Sequence, residues 1–393
     1  MSTLLADWGD STPAPVMAPP MQPALNEVAS PSAHSASASA SATSTSASAP
    51  SSAPDSAPVS TAIDVSEKRI VNGKADINQL APFKYPWAWE FFLKANRNHW
   101  TPLEISMAQD VGDYQHKLTA DERHLFENVL AYLTTSDILA MRNIGLAVME
   151  KMSAPELQIY QARQVYEEAL HTWTYQHCIE TLGIDQAEIY NRYRVVPEIH
   201  GKIALATRRL NAVLKSGSDL SNRDTLHEFA MSYLFFAAVF EGCWFYNGFS
   251  PIFALQRRGL MKGAAEQLQY IMRDEVLHCA FGIRVLREML KEENLTLDPK
   301  ALSDMWQECE AAEIAYAGYI LRKPILGYSA ESHVGQFRFI ANRRARQVGI
   351  PEPFPGAECT LPWLDEQANL RKEKNFFETR VTEYQVGGAL AWE

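Results

Sequence analysis

Two Glu-x-x-His motifs, Glu168-Ala-Leu-His171 and Glu275-Val-Leu-His278, constrain this chain more than any other feature. At that spacing a carboxylate and an imidazole share one helix face and can converge on one ion. One such motif arises easily by chance on a solvated helix. Here both fall on apolar stripes, where an unpaired charge is strongly unfavourable. The first stripe runs Val165, Glu168, His171, Tyr175, Ile179, Leu182. Two further acids sit alone among hydrophobic neighbours, in Thr135-Ser-Asp137-Ile-Leu and Val239-Phe-Glu241-Gly-Cys. A single buried acid has bland solutions, such as a hydrogen bond to a neighbouring helix or a buried Arg. Four helices that each bury an acid, two of them adding a His at the same spacing, weaken those solutions. A pair of divalent metal ions resolves the electrostatics, because four carboxylates cancel two M²⁺ ions and the imidazoles bind neutral. Carboxylate and imidazole donors suit iron or manganese, whereas a soft-metal site would use thiolates.

The chain around these residues reads as helical from about Asn78 to Val348. Thr119-Ala-Asp-Glu122 and Ser153-Ala-Pro-Glu156 have the form of capping boxes that open helices. Phe126, Val129, Leu130, Leu133, Asp137 and Ala140 follow one stripe after the first. Further helices are expected around Leu226–Leu255 and Met261–Leu290, with two or three more between Pro299 and Val348. No alternating strand pattern and no hairpin turn competes with this all-α reading. Helices that bring single carboxylates and Glu-x-x-His pairs to a common core form a ferritin-like bundle around a dinuclear metal site.

Composition narrows the function. The chain carries 36 Lys+Arg against 47 Asp+Glu, a net charge of −11, which disfavours nonspecific nucleic-acid binding. The five cysteines form no CxxC pair, which argues against a zinc knuckle or redox dithiol and suits a reducing cytoplasm. No Lys or Arg precedes Lys68, against a targeting peptide. The Phe229–Leu255 stretch is apolar enough to raise a membrane question. Glu241 near its midpoint would cost about 2.5–3.5 kcal/mol in a bilayer, so a buried core helix is expected. Residues 1–66, rich in Ser, Ala and Pro, are expected to form a disordered leader. Residues 67–350 should form the helical domain, and 351–393 an irregular segment and tail, with Gly387-Gly388 as a flexible point.

The motifs together resemble the small, radical-generating subunit of class I ribonucleotide reductase. The resemblance runs from about Pro86 to the C-terminus and rests on both Glu-x-x-His motifs, the context Arg273-Asp-Glu275-Val-Leu-His278, and the tail sequence Glu383-Tyr-Gln-Val-Gly-Gly. It implies that Asp137, Glu168, His171, Glu241, Glu275 and His278 hold the metals, expected to be iron, two ions per chain. Manganese and mixed manganese–iron pairs use the same ligand types. It implies a radical on Tyr175, one turn past His171, in an apolar pocket of Phe245, Phe249 and Ile271. A core tyrosine bonded to a ligand carboxylate would share that geometry. The chain shows no phosphate-binding loop. The resemblance therefore implies that the oxidising equivalent, made with O₂, passes through Trp100, Asp274, His171 and Tyr384 to a separate large subunit that reduces ribonucleoside diphosphates. It further implies a homodimer. An iron-storage bundle or a stand-alone di-metal oxidase would need neither the tail nor the Arg273-Asp274-Glu275 context.

Overall fold

The computed structural model describes residues 64–74, 76, 78–211 and 218–364. Nearly all of the expected leader and the whole tail from Asn375 to Glu393, Tyr384 included, lie outside the described residues. A turn of 3₁₀ helix at Val65–Glu67 spans the expected boundary between leader and helical domain.

The described residues form a helical bundle with one isolated antiparallel bridge, Ile325–Tyr328. In chain order the helices are α1 (Pro86–Ala95), α2 (Ala108–His116), α3 (Ala120–Asn143), α4 (Pro155–Leu182), α5 (Gln186–Val195) and α6 (Pro197–Asn211). Then follow α7 (Arg223–Arg257), α8 (Lys262–Glu292), α9 (Pro299–Ile320) and α10 (Ala330–Val348). α3 lies along α4, α8 lies along the middle of α7, and α8 also meets α4. These four helices enclose the centre of the core.

Local chemistry sets the helix ends. Thr119 and Glu122 form the expected capping box, and each satisfies a backbone N–H of the other. α4 ends at Gly183, whose φ of 69° is the left-handed turn that glycine adopts without strain. The second expected capping box does not form. α4 starts after Ala154 with no side-chain cap and Pro155 in its first turn. Ser153 Oγ instead accepts from Gly73 N at 3.0 Å. Glu156 accepts from the N–H groups of Lys84 and Tyr85 at 3.1 Å and lies 3.6 Å from buried Lys68. Tertiary partners from the segment before α1 outcompete the local cap. α8 is capped from a distance: Asp110 accepts from Gly263 and Ala264, and Asp113 accepts from Met261.

α7 is not uniform. Phe235–Phe245 is π-helical, and every residue of it is buried. Widening the helix frees backbone carbonyls, which then need other donors. Arg344, buried on α10, donates Nε–H to Gly242 O of this segment at 2.9 Å. α7 is the one helix among the described residues long and apolar enough to cross a membrane, yet 94% of its most apolar window is buried inside the bundle. That agrees with the expected core helix built around Glu241.

Candidate metal centre

The apolar stripes of α3, α4, α7 and α8 carry their exceptional polar residues to one place. Asp137 comes from α3, Glu168 and His171 from α4, Glu241 from the π segment, and Glu275 and His278 from α8. All are buried at 1% exposure or less. Their donor atoms fall into two overlapping groups, each within 4.8 Å: Asp137, Glu168, His171 and Glu275 in one, Glu168, Glu241, Glu275 and His278 in the other. Glu168 and Glu275 belong to both, as bridging ligands would. His171 Nδ1 lies 3.3 Å from Asp137 Oδ1 and 3.3 Å from Glu275 Oε1. His278 Nδ1 lies 3.2 Å from Glu168 Oε1 and 3.3 Å from Glu275 Oε2.

The unmet bonding capacity is concentrated at the same point. Both oxygens of Asp137, Glu168, Glu241 and Glu275, and Nδ1 of both histidines, are buried without a satisfactory hydrogen bond. Buried polar groups normally find partners, so this many orphans facing one another call for cations. Burial pushes the Asp137 and Glu241 carboxyls well above the usual carboxylate range, and their neighbouring acids add to it. Burial opposes charge on the imidazoles, but the surrounding acids outweigh it and hold His171 and His278 well up. Those same imidazoles overcome burial at Glu275 and hold it down. Without metal, the site therefore retains protons that two cations would displace.

A ring of outer contacts orients the ligands. With Nδ1 facing the centre, Nε2 of each histidine carries its hydrogen outward. His171 Nε2 donates to Asp274 Oδ2 at 3.2 Å, and His278 Nε2 donates to Glu167 Oε2 at 2.9 Å. Asp274 also accepts from Trp100 Nε1 at 3.2 Å and from Asn98. The structure thus joins Trp100, Asp274 and His171, and the Trp100 ring lies nearly parallel to those of His171, at 6.5 Å, and Tyr270, at 5.4 Å. Sequence patterns single out neither Glu167 nor Asn98. The Glu167-Glu168 doublet resembles a solvated face, and only the requirement that His278 have an acceptor distinguishes Glu167. Arg163 Nε, 3.0 Å away, fixes the other oxygen of Glu167.

Tyr175 is fully buried one turn beyond His171, and its hydroxyl has no hydrogen-bond partner. Burial raises its pKa well above normal, and the charges of Asp137, Glu275 and Glu168 raise it further, so the phenol is neutral. Phe245, Phe249 and Ile271 are all buried as well.

The family model described as "Ribonucleotide reductase, small chain" matches residues 77–360. A protein of Chlamydia pneumoniae named ribonucleoside-diphosphate reductase subunit beta is 36% identical over 336 residues, covering 84% of this chain and 96% of that one. Among solved structures, a ribonucleotide reductase R2 subunit from Clostridium botulinum aligns with a TM-score of 0.69 at 22% identity, over 77% of this chain and 95% of that one. Dimanganese(II)-NrdF of Streptococcus sanguinis aligns with a TM-score of 0.61 at 19% identity, over 75% and 99%. These structures share the helical fold.

Proposed function

The chain belongs to the ribonucleotide reductase small-chain family, and from that premise we propose that its centre generates a radical on Tyr175 for ribonucleoside-diphosphate reduction by a large subunit. The carrying observation is the pair of overlapping buried ligand groups that share Glu168 and Glu275. Asp137, Glu168, His171, Glu241, Glu275 and His278 would hold two metal ions, with iron as the proposed metal. The donor set equally suits manganese, which the Streptococcus structure contains. Bound there, the metal pair supplies a strong oxidant on reaction with O₂.

The remaining work falls to side chains. Glu167 and Asp274 hold the two imidazoles in the tautomer that offers Nδ1 inward. The packed core excludes water and reductants from Tyr175. Tyr175 would give one electron to the oxidant that the metal pair supplies and its phenolic proton to the acids nearest it, Asp137 among them, and become a neutral phenoxyl radical. A charged product would be unfavourable in so dry a site. The Trp100–Asp274–His171 contacts offer a path by which an electron moves between the outer core and the centre as protons shift along the two hydrogen bonds. Tyr384 would extend that path within the tail, residues 351–393, toward the large subunit. Trp392 and Leu390 would anchor the tail there, contributing about 1.5–3 kcal/mol each before ordering costs.

Residues 1–66 are proposed as a leader outside the catalytic domain of residues 67–350. A homodimer in the cytoplasm is the proposed setting, supported by free cysteines throughout the described chain. An iron-storage role would leave the Trp100–Asp274–His171 contacts without purpose. The test combines the metal-loaded chain with a large subunit and measures deoxyribonucleoside diphosphate. Formation by the parent, and its loss with Tyr384→Phe at unchanged subunit binding, is the expected result. Parent protein that holds metal but yields no product with a competent large subunit would refute the reading.

A further inference from the structure

A second buried polar cluster lies outside the metal centre, built around Lys202 of α6. Lys202 has no exposed surface, which is rare for a lysine. Its Nζ lies 2.5 Å from Glu313 Oε2 of α9. Three ring centroids surround the same nitrogen: Tyr132 of α3 at 4.2 Å, Tyr316 of α9 at 4.5 Å and Trp244 of the π segment at 4.8 Å. Glu313 Oε1 accepts from Asn247 Nδ2 at 2.8 Å and pairs with His333 Nε2 at 2.7 Å. Burial works against both charges: Lys202 and His333 overcome it at Glu313 and hold the carboxyl down, while Lys202 itself is lowered by burial and owes its ammonium to the Glu313 carboxylate beside it. An apolar side chain of similar volume could fill this space without desolvating two ions, so packing alone does not account for the lysine.

The position of the rings suggests what the charge does. Tyr132 lies five residues before Asp137 on α3, and Trp244 lies three residues after Glu241 on α7. Readily oxidised rings therefore stand about one turn from ligands on two of the four helices, competing with Tyr175 for any oxidising equivalent formed between them. We propose that Lys202 keeps Tyr132, Trp244 and Tyr316 reduced, by holding an ammonium against all three rings, and so directs oxidation to Tyr175. This rests on the radical-generating role proposed for the metal centre.

The physics favours that direction. A ring that loses an electron becomes a cation, and its attraction for the adjacent ammonium turns into repulsion, strongly so in a low-dielectric interior. Oxidation of a phenol or indole at neutral pH also releases the O–H or N–H proton. At Tyr132, Tyr316 or Trp244 that proton would be released beside the ammonium already held there. The unproductive event would move one electron from a cage ring to the dioxygen-oxidised dinuclear centre, with loss of the ring's proton, and would consume the equivalent that Tyr175 needs.

The test uses the full chain, loaded with iron and exposed to O₂. The variants are Lys202→Met, Lys202→Met with Glu313→Gln, Glu313→Gln alone, and Lys202→Arg. The double variant removes both charges and so leaves no lone buried carboxylate to unfold the core. Metal content and circular dichroism establish that it is folded. Two readouts follow: electron paramagnetic resonance with ring-deuterated tyrosine or tryptophan, and peptide mass spectrometry for oxygen addition at residues 132, 244 and 316. Loss of the ammonium should lower the Tyr175 signal several-fold, introduce a tryptophan or second tyrosine signal, and mark the cage peptides. Lys202→Arg should behave like the parent, whereas Glu313→Gln, which removes the carboxylate that keeps the buried Lys202 charged, should behave like the double variant. A folded, metal-replete double variant with the parent's Tyr175 yield and unmodified cage peptides would overturn this proposal alone. A parent without any tyrosyl signal would overturn the reading of Tyr175 and this proposal with it.

Discussion

Gly282→Ala tests how tightly the packing of α7 on α8 controls the metal centre. A Cβ at Gly282 would lie 2.6 Å from the Ala237 Cβ and 3.4 Å from its Cα. Carbon atoms prefer a separation of about 3.5–4.0 Å, so the two helices must part by roughly 1 Å. Overpacking of this kind costs about 1–3 kcal/mol. The better helix propensity of alanine returns about 0.5–1 kcal/mol. The net loss, roughly 0.5–2 kcal/mol, should lower the melting temperature by a few degrees in a chain of this size. Ala237 is one turn from Glu241, and Gly282 is one turn from His278. The same displacement therefore pulls Glu241 away from Glu275 and His278. Metal–ligand distances tolerate only about 0.2 Å, so the ion held by Glu241 and His278 should weaken more than the one held by Asp137 and His171. Gly318→Ala is the control: nothing lies within 4 Å of the position its new methyl would take, and it should stabilise α9. Thermal unfolding and calorimetric manganese titration, which resolve the two ions, would measure both effects. A Gly282→Ala chain as stable as Gly318→Ala, with both ions bound as in the parent, would refute the packing argument.

Three other outcomes follow from the centre. Glu167→Gln leaves the His278 Nε2 hydrogen without its carboxylate acceptor and should weaken metal binding about 10–100-fold, read by competition with a chelator. Burial holds protons on Asp137 and Glu241, and the acids hold them on His171 and His278. Metal binding must release these protons, so affinity should rise with pH and fall on acidification, with proton release measurable in weakly buffered calorimetry. Trp100→Phe removes the indole N–H that reaches Asp274 but leaves the ligands untouched. It should preserve two bound metals and the Tyr175 radical while abolishing nucleotide reduction, measured side by side.

The clustering of the candidate ligands was legible because each is a charge placed on an otherwise apolar stripe, and helical periodicity alone puts Glu168 beside His171 and Glu275 beside His278. The four-helix core followed from the same stripes. Other features depend on contacts that sequence spacing does not encode. The π segment has the same residue types as an α-helix, and the Arg344 donation to its Gly242 O comes from α10, far along the chain. Glu167 sits in an acidic doublet that resembles a solvated face until His278 supplies its partner. Lys202 lies in a charged-looking run, Glu198-Ile-His-Gly-Lys202, and its burial arises only when α3, α7 and α9 close around it. The Ser153–Glu156 pattern had the composition of a capping box, but Gly73, Lys84 and Tyr85, distant in sequence, claimed both side chains.

The most direct test of the radical assignment is electron paramagnetic resonance of the iron-loaded, O₂-exposed chain with ring-deuterated tyrosine. The expected result is a tyrosyl signal whose hyperfine splitting collapses on deuteration and which vanishes in Tyr175→Phe, while the variant retains about two metal ions per chain, the count expected for this site type. A tyrosyl signal that persists in Tyr175→Phe, or a parent with both metals and only a metal-centred signal, would contradict it.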